Sequence, residues 1–245
     1  SVALGPCFDN TRAERYSRHM ITPGEWRRLG LTIVRGLRDS TRTDELLVAE
    51  EIVCRARFNA LHKQLVSTIA TNLEAQSLLV DKPRLAKAAV DYDALRALPA
   101  DTLGGAYVRH LDRFGLDPDL LADPFGHWSG TRYADPDTAY LHERYRQTHD
   151  LWHALTGLGT AGYEEVLIHA FTWGQLRLPY SLLIVSFGTV KHILFERRWN
   201  VLRHGLGDAY DAGRSARSLL LVRWEDRWQM PLAEIRDTYR IRTLA

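Results

Sequence analysis

Along most of the chain apolar residues return every three or four positions, and strand-like alternation is absent. From Thr43 to about Leu73 the series Leu46, Leu47, Ile52 or Val53, Leu61, Leu65 and Ile69 keeps that spacing, which sets its side chains on one face of one or two amphipathic helices. Thr22-Pro23-Gly24-Glu25 joins a capping residue, a proline in the first turn and a glutamate three residues after the cap, so a helix is predicted from there towards Asp39. Pro83 opens a segment of short helices ending at Leu98-Pro99, Asp101-Thr102 caps a helix that Gly115 closes, and Pro136-Asp137 starts one that Gly157 and Gly159 end. Between Asp117 and Asp135 prolines, glycines and aspartates predict an irregular loop. Further helices are predicted over 161–174, from Pro179 onward, through Trp224, and from Pro231 to Tyr239. No period repeats, so the pattern implies an all-α fold, a single multi-helix domain of about ten helices over residues 1–245.

The most apolar run, LPYSLLIVSFGTV from Leu178 to Val190, is interrupted by Pro179, two serines and Gly188 and falls short of the ~20 residues a membrane span needs. Being apolar on nearly all sides, it is expected to be a buried central helix or the wall of an apolar pocket. Hydrophobic residues at 45% and charged residues at 25% fit an ordinary globular protein. Thirty-two basic against thirty acidic residues give a net charge of +2 with no strong basic block, which argues against nucleic acid as a partner. Cys7 and Cys54 have neither disulfide nor metal-ligand spacing and are expected to be packing residues in a reducing compartment. The start of the chain shows no signal-peptide apolar region.

Candidate chemistry lies in His149-Asp150-Leu151-Trp152-His153 and, twelve residues after His153, Glu165. Residues four apart share a helix face at about 5–6 Å between Cβ atoms, so His149 and His153 can aim at one ion. Asp150 borders that face at an angular offset. Gly157 and Gly159 let the chain turn so that Glu165, early in the next helix, faces back. Two imidazoles and two carboxylates suit a borderline divalent cation, with Zn2+ first and Fe2+ as the alternative. The second residue is Asp rather than the Glu of HExxH, so peptidase chemistry does not carry over. His142 and His169 are candidates for orienting a ligand from behind. Trp152, Phe171 and Trp173 can extend an apolar pocket, and Arg144 or Arg146 can meet a carboxylate or anionic lipid at its mouth.

These residues resemble the signature of the ubiquinone (coenzyme Q) biosynthesis protein family called Coq four, His-Asp-two residues-His-eleven residues-Glu. LPADTLGGAYVRHLDRFG, DTAYLHERYRQTHDLWHALTGL, Leu178-Pro179 and VRWEDRWQMPLAEIRDTYRI are similar to further segments of it, so the resemblance runs from Pro83 to Ile241. Glu164 and His169 depart from the residues most common there. The resemblance implies an all-helical fold, a homodimer, and a zinc-type site at His149, Asp150, His153 and Glu165. It implies peripheral association with the inner membrane, from the cytoplasmic side in a bacterium or the matrix side in a mitochondrion. It also implies loss of the C1 carboxylate, with or without C1 hydroxylation, from a polyprenylated 4-hydroxybenzoate-type acid, alongside other ubiquinone biosynthesis proteins as partners. The alternative is a non-catalytic scaffold binding prenyl (isoprenoid) lipid. An HD-type phosphohydrolase would need a further series of His and Asp ligands, which the chain lacks.

Overall fold

The computed structural model describes residues 22–38, 43–122, 133, 135–194, 197 and 199–245. Among them are eleven α-helices, one 3-10 turn and no strand, so the all-α expectation holds. The chain divides into two compact units, Ser1–Ala56 and Arg57–Ala245. Cys7 and part of the expected loop, residues 123–132 and 134, lie outside the described residues.

In the first unit α1 spans Pro23–Arg38. Its capping box forms as expected: the Glu25 carboxylate accepts from the Thr22 backbone N–H at 2.9 Å, while the Glu25 N–H donates to Thr22 Oγ1 at 3.3 Å. Helix α2, Thr43–Thr71, is one helix that runs across the boundary into the second unit. Cys54 on it is fully buried, as a packing residue.

The second unit continues with α3 (Leu73–Asp81), α4 (Tyr92–Arg96), α5 (Leu103–Phe114), α6 (Pro118–Ala122), α7 (Pro136–Thr156), α8 (Gly162–Leu176), α9 (Pro179–Leu194), α10 (Trp199–Ser215) and α11 (Leu232–Tyr239). The Pro83–Leu98 segment is less helical than its sequence implies, because only Tyr92–Arg96 coils, behind the Asp91 cap. The chain before it makes a turn at Ala86–Val90 and is tied down at Leu85, whose N–H donates to Gln147 Oε1 and whose carbonyl accepts from Tyr92 Oη. The expected loop at Asp117 contains α6. Helix α8 runs past Gly174 and ends at Arg177, which takes the left-handed conformation (φ 55°).

Two helices exchange the roles their hydropathy suggests. The central one is α7, of low hydropathy, with sixteen of its 21 residues buried. Several of its buried polar groups find partners within the protein: fully buried Arg144 forms a two-pronged pair with Glu225 (2.6 and 2.8 Å), and Thr148 and Thr156 bond back to the helix carbonyls. Arg144 is therefore a structural ion pair and does not stand at a pocket mouth. The last carbonyls of α7 accept from Arg236 of α11 and from the Leu244 N–H, which occupies acceptors that a helix end leaves open. The apolar run, by contrast, forms α9, of which only Ser181 and His192 are buried, so it is not the buried central helix. Trp152 and Phe171 are wholly enclosed and pack edge to face at 6.1 Å as core.

Helices α8 and α10 approach closely. A methyl group on Gly213 would lie 2.0 Å from the Phe171 carbonyl oxygen, and one on Gly174 2.5 Å from that of Tyr210. Glycine at both positions lets α10 clamp α8 and fix the helix that carries Glu165.

Candidate metal centre

The site forms where α7 ends and α8 begins. Gly157, at φ +82°, stops α7 in a conformation that side chains rarely adopt. Two residues on, the Gly159 N–H donates to Glu164 Oε1 at 2.9 Å and the Ala161 N–H to Glu164 Oε2 at 3.1 Å. A side chain at Gly159 would collide with that carboxylate at 2.7 Å. Glu164 thus caps α8, and Glu165, one residue or about 100° further round, is turned toward α7.

Three side chains converge. His153 Nε2 lies 3.3 Å from His149 Nε2, His149 Nε2 3.6 Å from Glu165 Oε2, and His153 Nε2 3.5 Å from Glu165 Oε1. An ion bound at about 2.0–2.2 Å with tetrahedral angles holds its ligand atoms about 3.3–3.6 Å apart. The two imidazole nitrogens therefore stand at tetrahedral spacing and each has one Glu165 carboxylate oxygen near it, so the donor set is compatible with a divalent cation. His153 is fully enclosed, while the Glu165 side chain still exposes 35% of its surface. Nδ1 of His153 is buried near the Gly159 backbone without a well-formed hydrogen bond, and it is the nitrogen that carries the proton when Nε2 binds an ion.

Burial disfavours charge on both partners, yet each holds the other ionised. Desolvation opposes protonation of His153, but the adjacent Glu165 carboxylate outweighs it and raises the pKa. Desolvation likewise opposes ionisation of Glu165, and the two histidines bring it well below the usual carboxylate range.

Asp150 is not among the three converging donors. It is 8% exposed, and burial raises its pKa, opposed by the two histidines. His169 lies behind His149 with ring centroids 5.4 Å apart, and its Nδ1 meets Ser181 Oγ at 3.2 Å. His142 is elsewhere, stacked on Phe58 at 4.2 Å and bonded to Tyr133. His110 of α5 is an addition to the sequence-derived set: its ring stacks on that of His153 at 5.5 Å. Burial and the neighbouring His153 lower its pKa to about 4. The one local trace of it is that His110 interrupts the apolar stripe of Leu103, Tyr107 and Leu111, which does not point to His153. A second group, His62, Asp135 and Asp137, brings its donors equally near. There Lys82 pairs with Asp137 at 2.8 Å, Thr138 takes His62 Nδ1 at 2.8 Å and Asp135 caps α7, so partners already occupy the group.

The fold and site define an all-helical protein with a two-histidine, one-carboxylate cluster shared by consecutive helices. Residues 25–245 match the family described as coenzyme Q (ubiquinone) biosynthesis protein Coq4, and the chain belongs to that family. The match begins well before Pro83, so it covers more of the chain than the quoted motifs do. The chain is 31% identical over 235 residues to the mitochondrial ubiquinone biosynthesis protein COQ4 homolog 1 of Culex quinquefasciatus, covering 94% of this chain and 81% of that one. It is 32% identical over 168 residues to the mitochondrial COQ4 of Coprinopsis cinerea, a match spanning 69% of this chain and 55% of that relative's length. A crystal structure titled as a putative ubiquinone biosynthesis protein from Nostoc punctiforme has the same fold. Its TM-score is 0.62 at 23% identity, over 86% of this chain and 96% of that one. The family is involved in ubiquinone biosynthesis. No described helix is long and apolar enough to cross a membrane.

Proposed function

We propose that the protein is a metal-dependent enzyme of ubiquinone biosynthesis that removes the C1 carboxylate from a polyprenylated 4-hydroxybenzoate-type precursor. The observation that carries this reading is the convergence of the His149, His153 and Glu165 donors, with the two imidazole nitrogens at the edge length of a tetrahedral metal site. Zn2+ is the first candidate and Fe2+ the second. The bound ion would supply Lewis-acid stabilisation of a carboxylate or phenolate. His149 and His153 would hold the ion, and Glu165, the most exposed of the three side chains, would complete the set and could yield its position to substrate. Asp150, beside the set rather than in it, moves a proton. In the non-oxidative reaction a proton adds at C1 while the 4-hydroxyl loses its own. The C1–carboxylate bond then breaks, its electron pair returns to the ring and carbon dioxide leaves. Coupled C1 hydroxylation needs dioxygen and a redox metal, which zinc cannot be.

The chain would work as a homodimer on the inner-membrane surface, beside other ubiquinone biosynthesis proteins. A second reading, a non-catalytic scaffold that binds prenyl lipid, draws support from the exposed apolar face of α9. Two tests separate them: metal analysis of protein purified without added metal, and complementation of a deletion strain by His153→Ala. Loss of both metal and quinone with the fold retained supports the enzyme. Full quinone production by a metal-free variant supports the scaffold.

A further inference from the structure

Two arginines meet where α8 turns into α9. Arg57, on α2, donates from Nε to the Leu176 carbonyl at 2.8 Å and from Nη1 to Gln64 Oε1 at 3.1 Å. Arg177, the residue after Leu176, lies 5.6 Å from the ring centroid of Trp173 and 4.8 Å from that of Tyr210, and it donates to Tyr210 Oη at 2.5 Å. Both side chains are half-buried. Burial and then the charge of Arg177 lower the pKa of Arg57, so the two guanidiniums feel each other across the turn.

Like charges set this close oppose one another unless an anion joins them. No aspartate or glutamate occurs in residues 57–73 or 166–195, and Asp211, beside Tyr210 on α10, faces Arg214 at 3.9 Å. Neither arginine makes an ion pair with a described residue. The carbonyl end of α8, which Arg57 and the Arg177 N–H cap, offers only about half a negative charge against two full positive ones. Helix α9, sixteen residues long, starts at Pro179 with no acidic residue in its first turn, and its N-terminal half charge cancels even that. Arg57 Nη2 and Arg177 Nε and Nη1 donate to no described residue. Two uncompensated charges with N–H groups to spare match the charge and the oxygens of a phosphoryl dianion, which guanidinium forks bind by paired hydrogen bonds.

We propose that Arg57 and Arg177 hold a phosphoryl dianion, either inorganic phosphate or the phosphate of a small water-soluble molecule. Bound there, it ties α2 to the turn that ends α8, the helix whose other end carries Glu165. Arg177 is twelve residues beyond Glu165, about 18 Å along the helix axis, so this site is distinct from the metal cluster. The inference goes beyond the proposed function and does not depend on it.

The 245-residue chain is titrated with inorganic phosphate and with glycerol 3-phosphate, at constant ionic strength set with chloride, by isothermal calorimetry and thermal unfolding. The expected result is one phosphate per chain, bound in the millimolar range, and a Tm raised by about 3–5 °C at ten times the dissociation constant. Arg177→Gly suits the left-handed backbone at φ 55° and so keeps the fold, yet it weakens binding at least tenfold and removes the shift in Tm. Arg57→Gln does the same. Arg96→Gln, whose guanidinium is already paired with Asp93 and Asp112, binds as the parent does, and so does His153→Ala. Tighter binding of inorganic phosphate than of the ester identifies the free ion as the ligand, and the reverse identifies a phosphorylated metabolite. The inference is overturned if the parent shows no saturable binding of either, or if Arg177→Gly binds equally. Loss of binding in His153→Ala also overturns it, because the phosphate would then sit at the metal cluster. Should Arg57→Gln misfold, Arg177→Gly decides alone.

Discussion

Replacing Glu165 with glutamine keeps the shape of the side chain and removes its charge. In the metal-bound protein it takes away the anionic ligand of a set whose donors lie 3.3, 3.5 and 3.6 Å apart. Changes to groups that merely orient metal ligands cost about 10–100-fold in affinity, so loss of a ligand is expected to cost at least about 100-fold, or about 2.7 kcal/mol. Competition titration of zinc against a fluorescent chelator at pH 7.5 measures this directly. Because the carboxylate is 35% exposed, the fold survives the change, and circular dichroism checks it. The same residue sets the pH dependence. The His153 pKa, lowered by burial but raised above 6.5 on balance by Glu165, makes protons compete for the site, so affinity holds at alkaline pH and falls as pH drops through that raised value. In Glu165→Gln that fall moves to lower pH. A variant binding zinc within threefold of the parent, with an unchanged pH profile, would refute the assignment.

Other consequences are read from stability. Gly213→Ala forces a methyl group to 2.0 Å from a backbone oxygen and is expected to cost about 1–3 kcal/mol, lowering Tm by several degrees, whereas Gly207→Ala, with nothing within 4 Å on the same helix, leaves Tm equal or higher. Arg144→Met strands the Glu225 carboxylate and is expected to cost about 3 kcal/mol in denaturant melts, with much of the loss restored when Glu225→Gln is added. Burial alone would raise the Glu25 carboxyl, but hydrogen bonds from Arg55 and Thr22 hold it at about 2 against 4.5 unfolded. That lowered folded-state value contributes at most about 3 kcal/mol, fully present above pH 4.5 and lost as pH falls towards 2, so Glu25→Gln flattens the acid limb of a stability-versus-pH curve in that window.

Much of this architecture was legible along the chain because its punctuation is local. The Thr22–Glu25 box, the Thr102 cap, the Pro136 start and the left-handed Gly115 and Gly157 all act within four residues, and each helix boundary they imply is observed. So was the meeting of His149, His153 and Glu165, which needs only one helical turn and one glycine-bearing bend. What misled was hydropathy taken as burial. Leu178–Val190 reads as core, yet Leu182, Phe187 and Val190 are exposed, while polar α7 is central because Arg144 finds a partner that only the folded chain brings to it and Thr148 and Thr156 bond back to their own helix. Long-range pairing also hid the use of Arg144, whose partner lies 81 residues away, and of His110, which reaches His153 from another helix. Glu164, visible only as an unusual residue in its motif, turns out to cap α8 and so to aim its neighbour.

The central claim concerns one ion between two helices. X-ray absorption at the metal edge of protein loaded with one equivalent of zinc tests it most directly, with His153→Ala and His62→Ala chains measured alongside. The account predicts two imidazole nitrogens and carboxylate oxygen at about 2.0–2.2 Å, a signal lost in His153→Ala and kept in His62→Ala. Zinc that stays bound in His153→Ala, or that leaves with His62, would contradict it.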